Sequence, residues 1–148
     1  MKIGITGSLA SGKSSVAKIL SKNKKLLFSA DKVVKNLYSD NQFKTKIKKK
    51  FKIKNKNIKE EIKNKLLKKE ISLNELGKII HPFVRREMRT HKKKNRNKEI
   101  IFFEIPLLIE SKLMKFFDFI ILVLAPRKVR LKRYLKNGGK KKMFYLLD

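Results

Sequence analysis

The chain of 148 residues suits one globular domain with a core large enough to fold unaided, and the lack of cysteine excludes disulfides and thiolate metal sites. Lys and Arg number 41 against 12 Asp and Glu, a formal charge of +29, which ordinarily points to nucleic acid, an anionic membrane or a polyanionic substrate. The excess is mostly lysine in company with isoleucine and asparagine, without the aromatic interleaving of base-stacking modules, so it reads as a solvated face and nucleic acid is not the expected partner.

No apolar run approaches the ~18 residues a membrane span needs, and only a few apolar residues separate Lys2 from Gly7. Neither a signal peptide nor a transmembrane helix is expected, which makes a soluble cytoplasmic protein the default expectation.

The first predicted element is a short buried strand over residues 2–6, KIGIT. A glycine loop follows, and then a helix from Ser14 to about Lys22 with Val16, Ala17, Ile19 and Leu20 at helical spacing. KKLLFSAD reads as a second strand ending at Ser29, with a new helix capped by Asp31 behind it. From Asn41 to His91 the pattern is helical and rich in lysine, with Phe43, Ile47, Phe51, Ile62, Leu66, Leu76, Ile79 and Ile80 as the inward stripe. His81 stands before Pro82 as the residue ahead of a helix whose first position is proline. EIIFFEIPLL and FDFIILVLAP read as a third and a fourth strand, closed by Pro106 and Pro126, both without the alternation that would leave one face wet. RKVRLKRYLK is a helix with Arg130 and Arg133 on one face. Strands separated by helices predict a three-layer α/β fold with a parallel sheet, whose ligands sit at the carboxyl ends of the strands.

The stretch Gly7-Ser8-Leu9-Ala10-Ser11-Gly12-Lys13-Ser14 fits the phosphate-loop pattern G-x-x-x-x-G-K-[ST], in the strand-to-helix context that pattern requires. The glycines let the backbone form a nest of N–H groups and the helix adds its positive end. Lys13 reaches the β- and γ-phosphates, and Ser14 offers a hydroxyl to Mg²⁺. Ser15, in the first helical turn, completes the expected nucleotide-binding set.

Taken with SADKVV, LGKIIHPFVRREM, EIPLLIESKL and LVLAPRKVRLKRYLKN, in this order and spacing, the loop resembles the dephospho-CoA kinases over residues 1 to about 137. The pair His81-Pro82 and Pro106-Leu107-Leu108 followed by Glu110 are its most particular motifs. The resemblance implies a P-loop kinase fold with core segments at about 1–31 and 98–136, a helical acceptor-binding insertion at about 32–97 and a partial lid at about 137–148. It implies transfer of the γ-phosphoryl of ATP, with Mg²⁺, to the ribose 3′-hydroxyl of dephospho-CoA. Asp31 matches the second aspartate of the family's Asp-Ala-Asp element and would be the base, while Ser29 replaces the first. Lys13 and Arg133 would stabilise the transferring phosphoryl. His81 would lie at the acceptor site, Pro106, Leu107 and Leu108 would wall its pocket, and Glu104 falls where a carboxylate would orient Mg²⁺ through water.

Two further features depart from the family pattern. The next lid arginine would fall near Asn137, and after NGGKKKMFYLLD the remaining lid helix, fifth strand, adenine-contacting loop and final helix have no counterpart, roughly a quarter of a usual member. The expectation is a truncated or reduced chain whose fourth strand has an open apolar edge, with Gly138-Gly139 as a lid hinge. Three alternatives stay open: a nucleoside monophosphate kinase, an inactive truncated P-loop protein, and a nucleic-acid-binding P-loop protein.

Overall fold

The structure is a computed structural model and describes residues 1–22, 26–106, 108 and 113–148. Strand β1 (Lys2–Thr6) leads through the glycine loop to helix α1 (Lys13–Ser21), and β2 (Leu27–Ser29) runs directly into α2 (Ala30–Leu37). Three helices follow, α3 (Asn41–Phe51), α4 (Ile58–Leu67) and α5 (Leu73–Lys94), then β3 (Ile101–Glu104), a 3₁₀ turn at Met114–Phe116, β4 (Phe119–Leu122), α6 (Arg127–Lys136) and α7 (Lys141–Leu147). The chain forms two compact units, Met1–Asp31 with Thr90–Asp148, and Lys32–Arg89. No helix among the described residues is long and apolar enough to cross a membrane.

In the first unit four strands form a parallel sheet in the order β2-β3-β1-β4. Its central strands are the apolar runs of the sequence: every residue of β3 is buried, Phe103 completely. On one face Ala17 of α1 packs against Ile5 and Phe102. On the other, the Phe103 ring meets Phe28, Phe116 and Phe117 at 5.5 to 5.7 Å between centroids. Gly4 makes that face possible, because a Cβ there would stand 2.7 Å from Leu108 Cδ1 and 3.1 Å from the Phe117 ring. The sheet is thus covered on both sides, as the three-layer reading predicts.

Two elements differ from the expectation for this unit. Strand β4 is apolar but not buried on both faces: Phe119 is 60% and Leu122 52% exposed, because β4 pairs only with β1 and forms the sheet edge. In α1 the buried stripe is Lys13, Ala17 and Ser21, four residues apart, which turns Ile19 outward at 72% exposure and leaves Leu20 at 42%.

The second unit is helical. Phe43, Ile47 and Phe51 of α3, Ile58, Ile62 and Leu66 of α4, and Leu76, Phe83, Val84 and Met88 of α5 are buried, at the three- and four-residue spacing that puts side chains on one helix face. Phe43 meets Tyr38 and Phe83 edge to face. Each helix starts on a polar cap: Asp40 accepts from the Phe43 amide at 2.7 Å, Asn57 from Glu60, and Ser72 and Glu75 satisfy each other's amides as a capping box. His81 and Pro82 lie well inside α5 and do not start a helix. Proline removes one backbone bond there, but Leu76 on one side of it and Phe83, Val84 and Met88 on the other are all buried, and that burial outweighs the lost bond. Ile79 and Ile80 are only half-buried.

His91, near the end of α5 and within the first unit, lies 5.7 Å from the Phe28 ring and 5.4 Å from the Phe103 ring, with its Nε2 buried and without a hydrogen-bond partner among the described residues. Burial holds its pKa below the usual histidine range; a hydrogen bond to the Leu26 backbone opposes the shift and the Lys94 charge adds to it. When the folded pKa is depressed, the unfolded chain binds more protons below about pH 6.5, so the stability held above that pH is lost as pH falls. His81 is shifted down in the same sense by burial and Arg85. The Tm should therefore decline below about pH 6.5, and thermal melts across pH 5 to 8 should show a shallower decline for His91→Phe.

Candidate functional site

The site is built at the carboxyl ends of the parallel strands. After Thr6 the β1–β4 pairing extends by one bond, Val123 N–H donating to the Thr6 carbonyl at 2.8 Å, and the chain then turns sharply at Gly7. Gly7 has φ +147°, and a Cβ there would stand 2.2 Å from the Val123 carbonyl oxygen, so only glycine fits. The loop carries two further positive φ values, 58° at Ala10 and 106° at Gly12, before the amides of Ser15 and Val16 donate to the Gly12 carbonyl and start α1. Ser11 is 4% exposed and its Oγ has no hydrogen-bond partner among the described residues. The loop opens on a cleft of about 570 Å³, lined by residues Leu9 to Val16 together with Asp31, Arg133 and Asn137.

Lys13 is 7% exposed, and its Nζ donates to the Ser8 carbonyl at 2.9 Å. Burial lowers its pKa, the carboxylates of Asp31 and Glu104 oppose that shift, and the Arg130 charge adds to it. Asp31 faces the cleft from the end of β2. It sits in the first turn of α2 and is not its cap, since β2 passes into the helix without a linker. Its pKa is raised, first by burial and next by the Glu104 charge, against the pull of Lys13. With its pKa raised, this carboxylate takes up a proton more readily than an ordinary aspartate, as suits a general base.

Glu104, the last residue of β3, is 3% exposed and accepts a hydrogen bond from the Ser14 hydroxyl. This pairing of a hydroxyl with a carboxylate fits Mg²⁺, a hard cation that takes one or two carboxylate or hydroxyl ligands beside substrate phosphates and keeps several waters. No cluster of three or more acidic, histidine or cysteine residues occurs among the described residues, so a cage made entirely of protein ligands is not present there.

Arg133 sits over the loop, its Nη1 donating to the Ser11 carbonyl at 3.0 Å and lying 3.6 Å from where a Gly12 Cβ would be. Asn137, where the family pattern has its next arginine, is at the rim of the same cleft. Pro106 accepts from Thr6 Oγ1 at 3.0 Å, beside the base of the loop. Leu108 is fully buried, with its Cδ1 over Gly4. Leu107 and Glu110 lie outside the described residues, and His81 belongs to the helical unit. The contact of Val123 with Gly7 and the reach of Arg130 toward the loop have no signature in the sequence, because both depend on which strand neighbours β1.

Comparison with known proteins agrees with this architecture. A family model described as dephospho-CoA kinase matches residues 1–143. A dephospho-CoA kinase from Rickettsia typhi is 36% identical over 140 residues, covering 94% of this chain and 73% of that protein. One from Fusobacterium nucleatum is 36% identical over 142 residues, 93% of this chain and 73% of its own. The crystal structure of TT1252 from Thermus thermophilus matches with a TM-score of 0.72 at 25% identity, over 99% of this chain and 76% of that one. A parallel α/β core carrying a phosphate loop, matched over residues 1–143 by one family model, leaves a single assignment: the chain belongs to the dephospho-CoA kinase family.

Proposed function

We infer that this chain carries out the ATP-dependent phosphorylation of dephospho-CoA, with the ribose 3′-hydroxyl as acceptor. The observation that carries the reading is the family match over residues 1–143; the geometry of the cleft supplies a mechanism. The loop amides and the start of α1 hold the ATP phosphates, with Lys13 opposite the β- and γ-oxygens. Ser14 and Glu104 would hold Mg²⁺, which when bound neutralises phosphate charge. The acceptor oxygen forms a bond to the γ-phosphorus, the bond from that phosphorus to the bridging oxygen breaks to release ADP, and Asp31 takes the hydroxyl proton. Arg133, already beside the loop, adds positive charge where the transferring phosphoryl would develop negative charge. His81, Pro106 and Leu107 are assigned to the acceptor side on the family pattern; Leu108, expected to wall the same pocket, is fully buried with its Cδ1 over Gly4 and packs the sheet instead.

Three outcomes follow from this mechanism. In an acceptor screen with ATP and Mg²⁺, dephospho-CoA should exceed AMP, CMP and UMP in kcat/KM by about 100-fold or more, and a nucleoside monophosphate winning instead would overturn the acceptor assignment. Lys13→Ala should abolish ATP binding or turnover, read by calorimetry and product formation, because it removes the cation facing the phosphates.

Asp31→Asn should lower kcat by ~10²–10⁴ with ATP affinity nearly intact, since the amide keeps the shape but cannot take the proton. In the parent, activity should fall as pH drops through a pKa above the ordinary aspartate value, because burial and Glu104 raise it. That acid limb should be absent from what activity Asp31→Asn retains, and a fully active Asp31→Asn variant would remove Asp31 from the mechanism.

A further inference from the structure

Helix α6 ends on a glycine turn in which Gly138 takes φ +79° and the Gly139 amide reaches back to the Tyr134 carbonyl at 3.0 Å. The turn lays α7 against α6, with Phe144 fully buried and its ring 5.6 Å from Tyr134. Phe144 and Asp148 are four residues apart, so they share a face of this short helical segment, and both meet Arg130. The guanidinium lies 5.8 Å over the Phe144 ring and is ion-paired to the Asp148 carboxylate through Nη1. The same carboxylate accepts from Arg127 Nε at 3.0 Å. Arg130 then extends past this anchor. Its Nε donates to the Ala125 carbonyl at 3.0 Å, and Nη1 reaches the carbonyl of Leu9, in the phosphate loop, at 3.4 Å. The side chains of Arg130 and Asp148 are 11% and 7% exposed, so the pair is a packed strut and not a loose surface contact.

We propose that Arg130 is a positioning residue for the phosphate loop, held in place by Asp148 and Phe144, so that the segment after the glycine turn sets the order of the loop. The physical reason is the directionality of the nest. If the loop's N–H groups are to face phosphate oxygens, its carbonyls must point elsewhere and find donors there. Two of those carbonyls, Leu9 and Ser11, receive guanidinium donors from one face of α6, Arg130 and Arg133. Arg130 is in addition tied to α7, through Asp148 and Phe144. A planar guanidinium can serve Ala125, Leu9 and Asp148 at once, which a lysine ammonium on a flexible stem cannot. The inference rests on the reading of the loop as the ATP site, but it predicts an effect on the loop before any nucleotide is added.

The test uses the full 148-residue chain. In the nucleotide-free protein, Arg130→Gln and Asp148→Asn should both speed amide hydrogen exchange in peptides spanning residues 7–13, with exchange across residues 41–51 unchanged. ATP with Mg²⁺ should then bind Arg130→Gln about tenfold or more weakly, Asp148→Asn less so, and Arg130→Lys should restore only part of the loss. The double variant should match Arg130→Gln alone, since Asp148 acts through Arg130. Parent-like loop exchange in both single variants would overturn the proposal even if ATP affinity fell, because Arg130 would then act on the nucleotide directly. Additive effects in the double variant would overturn the anchoring role of Asp148. If Arg130→Gln fails to fold, Asp148→Asn decides alone. A parent chain that binds no ATP would overturn the functional reading and leave the exchange result to judge the strut.

Discussion

A buried ammonium is the constraint around which the first unit is organised. Lys13 is 7% exposed, and a lysine that far from water needs compensating charge and hydrogen bonds to stay ionised. The fold supplies them from three strand ends: the Ser8 carbonyl after β1, the Asp31 carboxylate after β2 and the Glu104 carboxylate at the end of β3. Register makes this possible. Glu104 pairs with Ile5 on one side and Ser29 on the other, so the three strands finish level with one another and their terminal groups converge. In a parallel sheet the same edge collects every carboxyl end, which is why the charge cluster and the phosphate loop occupy one place.

Charge around Lys13 also divides the labour between the two carboxylates. Glu104 is committed to the Ser14 hydroxyl, while Asp31 faces the cleft with its pKa raised by burial and by Glu104 itself. The group facing the cleft, Asp31, is the one whose proton affinity is raised and the one placed to accept a proton from an acceptor there. Arg130 and Arg133 enter the same balance from outside, since their guanidinium groups occupy carbonyls on the loop and Arg130 weakens the hold of Lys13 on its proton.

The loop itself is compressed between strand and helix. Gly7 has no room for a methyl against the Val123 carbonyl, and Gly4, on the same strand, has none against Leu108 and Phe117. Backbone closeness on this scale lets β1 occupy the middle of the sheet while still delivering the loop to its edge. Strand β4 pays the geometric cost: paired only to β1, it shows Phe119 and Leu122 to solvent, as Leu124 just beyond it is shown.

Local chemistry wrote much of this into the sequence. The glycine spacing with Lys13 and Ser14 specifies a phosphate loop by sterics alone, because few residues tolerate positive φ or so close a backbone approach. The four apolar runs become the four strands, the apolar spacing from Phe43 to Leu76 becomes a helical unit, and Asp31 is placed by its position after a strand. Tertiary structure decided the rest. Whether an apolar strand is central or at the edge depends on its neighbours, so the run of β4 by itself reads like that of β3, and only the family pattern marked the open edge that β4 forms. Pro82 resembles a helix start because local rules see only its missing N–H, whereas burial on both sides keeps α5 continuous. The pairing of Ser14 with Glu104, 90 residues apart, and of Arg130 with Leu9, 121 apart, exists only once the strands have aligned. Spacing along the chain fixes φ, ψ and periodicity, which are properties of neighbours; the charge state and partners of a side chain are fixed by distance through space, and only the assembled sheet sets that.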